Sequence, residues 1–212
     1  MSVPPGLDRI WSADLRLSGH PKCLSISPCF SSWRLGALAL AAVLLTFLTP
    51  SLSAAQESSG NLELRTTAFQ PGGNIPKPYT CDGLDASPAL SWSDPPPRTQ
   101  SFVLIMDDPD APVGTFVHWV VYNLPATKRQ FPQRLPGDDE IQGGGRQGVN
   151  DFARTGYGGP CPPPGRPHRY FFRLYALDGM LNLKTAARRK DVDQAMKGHV
   201  LAHAELMGVY GR

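Results

Sequence analysis

Beyond residue 60 the chain is a succession of short apolar runs rich in β-branched and aromatic residues, each ended by a cluster of Pro, Gly or Asp. The runs fall at 61–69, 89–93, 101–107, 115–124 and 169–177. Short strands at such spacing, without helical stretches between them, predict a β-sandwich or barrel rather than alternating βαβ units. The 22 Pro and 21 Gly make up about a fifth of the 212 residues, below the fraction that marks a disordered chain, so the breakers punctuate a folded one. A coiled coil or helical solenoid is excluded, and the fold is mainly β. With no internal repeat or low-complexity linker after residue 55, the segment 56–212 is expected to be one domain.

Two stretches depart from the strand pattern. Residues 126–150, with Pro132, Pro136 and Gly143 to Gly145, show no sustained period and read as a long loop, of the kind that is usually functional or mobile. Near the end of the chain, Val192, Ala195, Met196, His199, Val200 and His203 recur at helical spacing. That pattern predicts a helix capped by Asp191, with Gln194 as the returning member of a capping box. Gly198 weakens it. After it, 206–210 returns to an extended or turn pattern.

The first 55 residues carry a different signal. The run LGALALAAVLLTFL at 35–48 follows Arg34 and precedes Pro50 and the small residues Ser51, Ser53, Ala54 and Ala55. A cationic flank, an apolar segment and a small-residue site describe a secretory leader, and the expected cut follows Ala55. An uncleaved membrane anchor is the alternative, although about 20 apolar residues are needed to span and Pro50 interrupts the far end. The expected location is periplasmic or secreted. The formal charge of +3 falls to +1 once residues 1–55 are set aside, so no basic face for nucleic acid is implied. Cys23 and Cys29 lie in the leader, which leaves Cys81 and Cys161 in the exported part. An even pair in an oxidising compartment is a disulfide candidate; the alternative is a reactive thiol at Cys161.

Four groups of residues can carry chemistry. The segment Asp107-Asp108-Pro109-Asp110-Ala111-Pro112 ends an apolar strand with three carboxylates and two prolines. The prolines stiffen a turn, but crowded acids repel one another unless cations or donors stand near. Asp108 turning inward to orient a histidine would answer that; a solvated acidic turn is the plain alternative. In FVHWVVYNL the period of two groups His118 with Phe116, Val120 and Tyr122, and in HRYFFRLYAL it groups His168 with Tyr170. Singly, each histidine reads as an ordinary hydrogen-bonded structural residue. Together with a fixed carboxylate, the two rings could hold an oxyanion. The loop Gly156-Tyr157-Gly158-Gly159-Pro160-Cys161-Pro162-Pro163-Pro164-Gly165 could offer successive N–H groups to the same anion, or be a plain surface turn. His199 and His203, spaced i, i+4 on the expected helix, lack a third ligand, so no metal and no cofactor is expected.

Taken in order, IPKPYTCDG and SPALSW, DDPDAP, FVHWVVYNLP, GVNDFARTGYGGPCPPPG with PHRYFFRLYALD, and AMKGHVLAHAELMGVYGR resemble the bacterial branch of the phosphatidylethanolamine-binding protein family. That family is also called Raf kinase inhibitor-like. The resemblance covers 62–212. It implies an antiparallel β-sandwich with peripheral short helices and one C-terminal helix, and a pocket at one end that accepts phosphate or phosphorylated headgroups. By position, Asp108, Pro112, His118, Tyr157, Gly159, His168 and Tyr170 would line it. The glycine loop, with Cys161 and extra prolines, departs from the animal members, so kinase inhibition is not carried over.

Three functions follow as expectations. The first is an exported binding protein for a small phosphorylated or anionic ligand, without enzymatic activity. The second is a regulator, like a protein kinase or protease inhibitor, acting on an unidentified protein through the pocket rim and the 126–150 loop. The third is a hydrolase with Cys161 as nucleophile and His168 or His118 as base. A homodimer is expected by family analogy alone.

Overall fold

A computed structural model describes residues 61–212. The leader, its apolar run and the expected cut after Ala55 lie outside the described residues. Eight strands and one helix follow in chain order. They are β1 (Leu64–Thr66), β2 (Leu90–Trp92), β3 (Ser101–Asp108), β4 (Phe116–Pro125), β5 (Gln130–Phe131), β6 (Arg146–Gln147), β7 (His168–Leu177), α1 (Arg189–Ala195) and β8 (Val200–Tyr210). One 3-10 turn, Lys77–Tyr79, lies between β1 and β2. The strands form a three-stranded sheet in the order β1-β2-β5 and a five-stranded sheet in the order β6-β4-β3-β7-β8, every neighbouring pair antiparallel. The mainly β, two-sheet architecture is the one the strand pattern predicts.

The large sheet is covered on both faces, which explains why all eight residues of its central strand β3 are buried. Toward the small sheet, Phe102, Leu104 and Met106 meet Trp92, Phe131, Trp119 and Phe172. On the opposite face, Val103 and Ile105 pack with Val120, Tyr122 and the α1 residue Val192. Asp107 falls on that second face. It is buried and receives the guanidinium groups of both Arg173 on β7 and Arg189 on α1, which fastens the helix to the sheet.

The C-terminal region corrects the expected helix. α1 ends at Ala195, and Asp191 is not its cap: the cap position is Arg188, whose backbone N–H donates to the Asp191 carboxylate at 2.9 Å. Gln194 accepts from Lys197 instead of closing a capping box. Gly198 turns the chain at φ +82°, and Val200 onward is strand. The helical spacing is a coincidence of two elements. Val192 and Met196 face the core from α1, whereas Ala204, Leu206 and Tyr210 alternate inward from β8. Pairing of β8 along the whole of β7, from His168 opposite Tyr210 to Leu177 opposite Val200, decides the outcome. His199 and His203 therefore share no helix face: His199 bonds Asp178 at 2.8 Å, and His203 lies opposite Tyr175.

The 126–150 segment is more ordered than its composition suggests. β5 extends the small sheet and β6 the large one. Buried Gln147, on β6, ties the 136–138 loop to β4, accepting from Trp119 Nε1 and donating to the carbonyls of Pro136 and Asp138, each at 2.7 Å.

Candidate functional site

At the end of β3 the three clustered carboxylates separate. Asp107 points to the helix face with its two arginines. Asp108 points to the other face, where its Oδ2 accepts from His168 Nδ1 at 2.8 Å and its Oδ1 accepts the Asp110 N–H at 2.8 Å. Asp110 accepts the backbone N–H, Nε and Nη2 of Arg169 at 2.8 to 3.0 Å, and this guanidinium holds its carboxyl well below the usual carboxylate range. Each acid has its own donor, so their crowding involves little mutual repulsion.

His118 reaches the same face by a β-bulge. Met106 lies opposite Trp119 and Asp107 opposite Val117, so His118 is an extra residue on β4. The bulge corrects the grouping expected from strict alternation: Val117, Val120 and Tyr122 pack on the helix face, while His118 meets Tyr170 edge-on with ring centroids 5.2 Å apart. The 150–158 segment holds the bulge. Gly158 N–H donates to the His118 carbonyl at 3.0 Å, Val117 N–H donates to Asp151 at 2.7 Å, and the Asn150 amide reaches the carbonyls of His118 and Gly156.

The protonation pattern follows from the partners. His118 Nδ1 lies 2.7 Å from the Gly158 carbonyl oxygen, which can only accept, so Nδ1 carries the hydrogen and Nε2 keeps its lone pair. Burial pushes the His118 pKa below its ordinary value, which keeps the ring neutral at neutral pH. His168 has its Nδ1 taken by Asp108, leaving Nε2 for a ligand. Tyr170 is fully buried, and its hydroxyl has no hydrogen-bond partner of good geometry among the described residues. Burial and the Asp108 carboxylate raise its pKa and keep it protonated.

These side chains line one cavity of about 250 Å³. Of the residues singled out from sequence, Asp108, Pro112, His118, His168 and Tyr170 border it. Tyr157 and Gly159 do not: the Tyr157 hydroxyl donates to the Tyr79 carbonyl at 2.7 Å beneath Trp119, and the Gly159 N–H donates to Asp85 at 2.6 Å. With Gly158 N–H on the His118 carbonyl, two of the successive loop N–H groups that could have met an anion are already bonded. A Cβ at Gly159 would lie 2.5 Å from the Tyr79 carbonyl, so close backbone approach is what this glycine provides.

The apolar walls include residues that sequence reasoning had not assigned to a site. Phe116 and Phe152 pack edge-on against His118 at 5.2 and 5.3 Å, and exposed Val113 stands at the rim. Phe116 was legible as a face-mate of His118. Phe152 carried no signal, because its place comes from the turn that Asn150 Oδ1 makes with the N–H groups of Phe152 and Arg154. Cys161, Pro162 and Pro163 form another wall. Cys161 is joined to Cys81, with Cα atoms 5.4 Å apart, so the disulfide alternative holds and the oxidised chain has no Cys161 thiolate to attack a substrate. Among the described residues no three His, Cys, Asp or Glu side chains are grouped to hold a metal ion.

Comparison with known proteins finds relatives of the same family and fold. A family model described as phosphatidylethanolamine-binding protein matches residues 65–211. A UPF0098 protein of Aquifex aeolicus is 52% identical over 153 residues, covering 71% of this chain and 89% of that one. A UPF0098 protein of Methanothermobacter thermautotrophicus is 48% identical over 151 residues, 71% and 99% of the two chains. Among solved structures, a putative phosphatidylethanolamine-binding protein homologue from Chlamydia trachomatis superposes with a TM-score of 0.66 at 40% identity, over 73% of this chain and 99% of that one. YbcL of E. coli, described as a member of the mammalian PEBP family, gives 0.66 at 31% identity, over 72% and 99%.

Proposed function

The chain belongs to the phosphatidylethanolamine-binding protein family, and from that premise we propose that it is an exported binding protein whose cavity takes a phosphate monoester or free phosphate as the monoanion. The observation that carries the reading is the fully buried Tyr170 hydroxyl, unpartnered beside two histidines whose Nδ1 atoms are both engaged. A buried polar group without a partner costs about 1–3 kcal/mol, which a ligand oxygen would relieve.

The site is a donor, acceptor, donor set. When its ring is charged, with Asp108 as counterion, His168 donates from Nε2 to a phosphoryl oxygen, and Tyr170 donates to a second. Neutral His118 accepts at Nε2 an acidic proton of the monoanion. A phosphate monoester loses that proton near pH 6 and free phosphate about one unit higher, so affinity is expected to rise as pH falls from 8 to 6. With no Arg or Lys among the lining residues, binding is weak, on the order of micromolar to millimolar.

Titration calorimetry with inorganic phosphate and phosphoethanolamine at pH 6 and pH 8 tests this. His118→Ala and His168→Ala should each weaken binding at pH 6 by about tenfold, or about 1.4 kcal/mol. Affinity that ignores both substitutions overturns the reading. The leader motif supports export with cleavage after Ala55, and N-terminal sequencing of the exported protein should begin at Gln56.

A further inference from the structure

We propose that Cys81–Cys161 is a site of thiol–disulfide exchange, and that its reduction by a dithiol releases the proline wall of the cavity beside His168. Both cysteines are exposed, so a reductant can reach the bond while the core stays folded. Exposed disulfides are the labile, regulatory class.

Anchoring on the two sides of Cys161 is unequal. Upstream, the loop is fastened by Tyr157 to the Tyr79 carbonyl, Gly159 N–H to Asp85, and Cys81 N–H to the Pro160 carbonyl at 3.1 Å. Downstream, residues 163–167 are all exposed, and their attachment to the domain is slight. Arg212 Nη1 reaches the Pro162 carbonyl at 3.4 Å, the Gly165 N–H reaches the Arg212 carbonyl at the same distance, and the exposed Arg166 guanidinium lies 3.9 Å from Asp110 Oδ1. The disulfide is thus the strong tie at the start of this wall, and β7 begins at its end with His168. Cys161, Pro162 and Pro163 line the cavity, so the bond holds the wall in place.

Arg212 also sets which sulfur leaves. Its Nη1 lies 3.9 Å from Cys161 Sγ, where a guanidinium stabilises a thiolate. A thiolate of the reductant attacks Cys81 Sγ, the disulfide breaks, and its electron pair leaves on Cys161. The second thiol of the reductant, deprotonated, then attacks its own sulfur in the mixed disulfide and expels Cys81 as thiolate. The reductant ends as a disulfide and the protein, having gained two electrons, takes up two protons to become two thiols.

The full chain, oxidised, is treated with dithiothreitol or a thioredoxin-class protein in native buffer. Alkylation followed by peptide mass mapping scores Cys81 and Cys161 separately from Cys23 and Cys29. Reduction is expected while near-UV circular dichroism persists, and Arg212→Ala should slow it several-fold. Amide hydrogen exchange should rise several-fold at Gly165, whose N–H is bonded to the Arg212 carbonyl, while β3 and β4 stay protected. A bond that reduces only on unfolding, or unchanged exchange in the reduced protein, overturns the proposal; wild-type rates in Arg212→Ala overturn the assignment of Cys161 as leaving group. The double variant Cys81→Ser, Cys161→Ser repeats the exchange measurement without reductant. One arm rests on the phosphate reading: affinity should fall at least fivefold on reduction, and equal affinity in both states contradicts a gate. If the oxidised protein takes no phosphate, the phosphate reading fails and the exchange data alone decide the gate.

Discussion

The pair of imidazoles shows how differently two chemically identical side chains can be set by one neighbour each. His168 faces a carboxylate, and His118 faces a carbonyl. The first has a counterion beside it, whereas the second is kept neutral by burial. Two predictions belong here. Replacing Asp108 by Asn preserves an acceptor for His168 Nδ1 but removes the counterion, so phosphate affinity should drop about tenfold at pH 6, read by calorimetry. For His118, the folded pKa is lower than the unfolded one, so the unfolded chain binds more protons below about pH 6.5. Its contribution to stability is therefore complete above that pH and is lost as pH falls toward the folded pKa. Urea denaturation between pH 7 and 5 should show that decline, and His118→Gln, which has no titrating ring, should flatten it.

Among the elements, α1 is short and depends on the sheet for its place. Its seven residues bury one side chain completely, Val192, and its first residue, Arg189, is clamped to Asp107. Removing one partner of a buried ion pair leaves an uncompensated charge, which costs about 3–5 kcal/mol in full burial. Here the two arginine side chains are 24% and 27% exposed, so Asp107→Ala should cost nearer about 2 kcal/mol. Urea denaturation measures the loss, and hydrogen exchange should show 189–195 affected before β3. The same scale explains the misread C-terminal helix. A window of six apolar and histidine positions matches a helix locally, but eleven residues of β8 gain a full ladder with β7. A hydrogen-bonded partner distant in sequence outweighs local periodicity, and no window along the chain can register it.

At the scale of the whole described domain, the Cys81–Cys161 link ties segments 80 residues apart. In the chain-entropy account, closing a loop of that length stabilises the folded state by about 4 kcal/mol, and losing it should lower Tm by roughly 10 °C for a domain of this size. Calorimetry of the Cys81→Ser, Cys161→Ser double variant against the oxidised protein checks that figure.

The positions of β1 to β4 and β7, the mainly β class and most of the cavity's polar residues were legible in the amino-acid order, because burial on a pleated sheet imposes a period of two and turns demand Pro, Gly and Asp. The motifs also carried the family. Three things waited for the folded chain: the β8 ladder, the bulge that brings His118 to the side of His168, and the hydrogen bonds that occupy the glycine loop and move Tyr157 and Gly159 away from the cavity. Each depends on which distant groups meet. Local sequence reports the preference of a backbone segment, but a partner dozens of residues away determines the direction in which a side chain finally points.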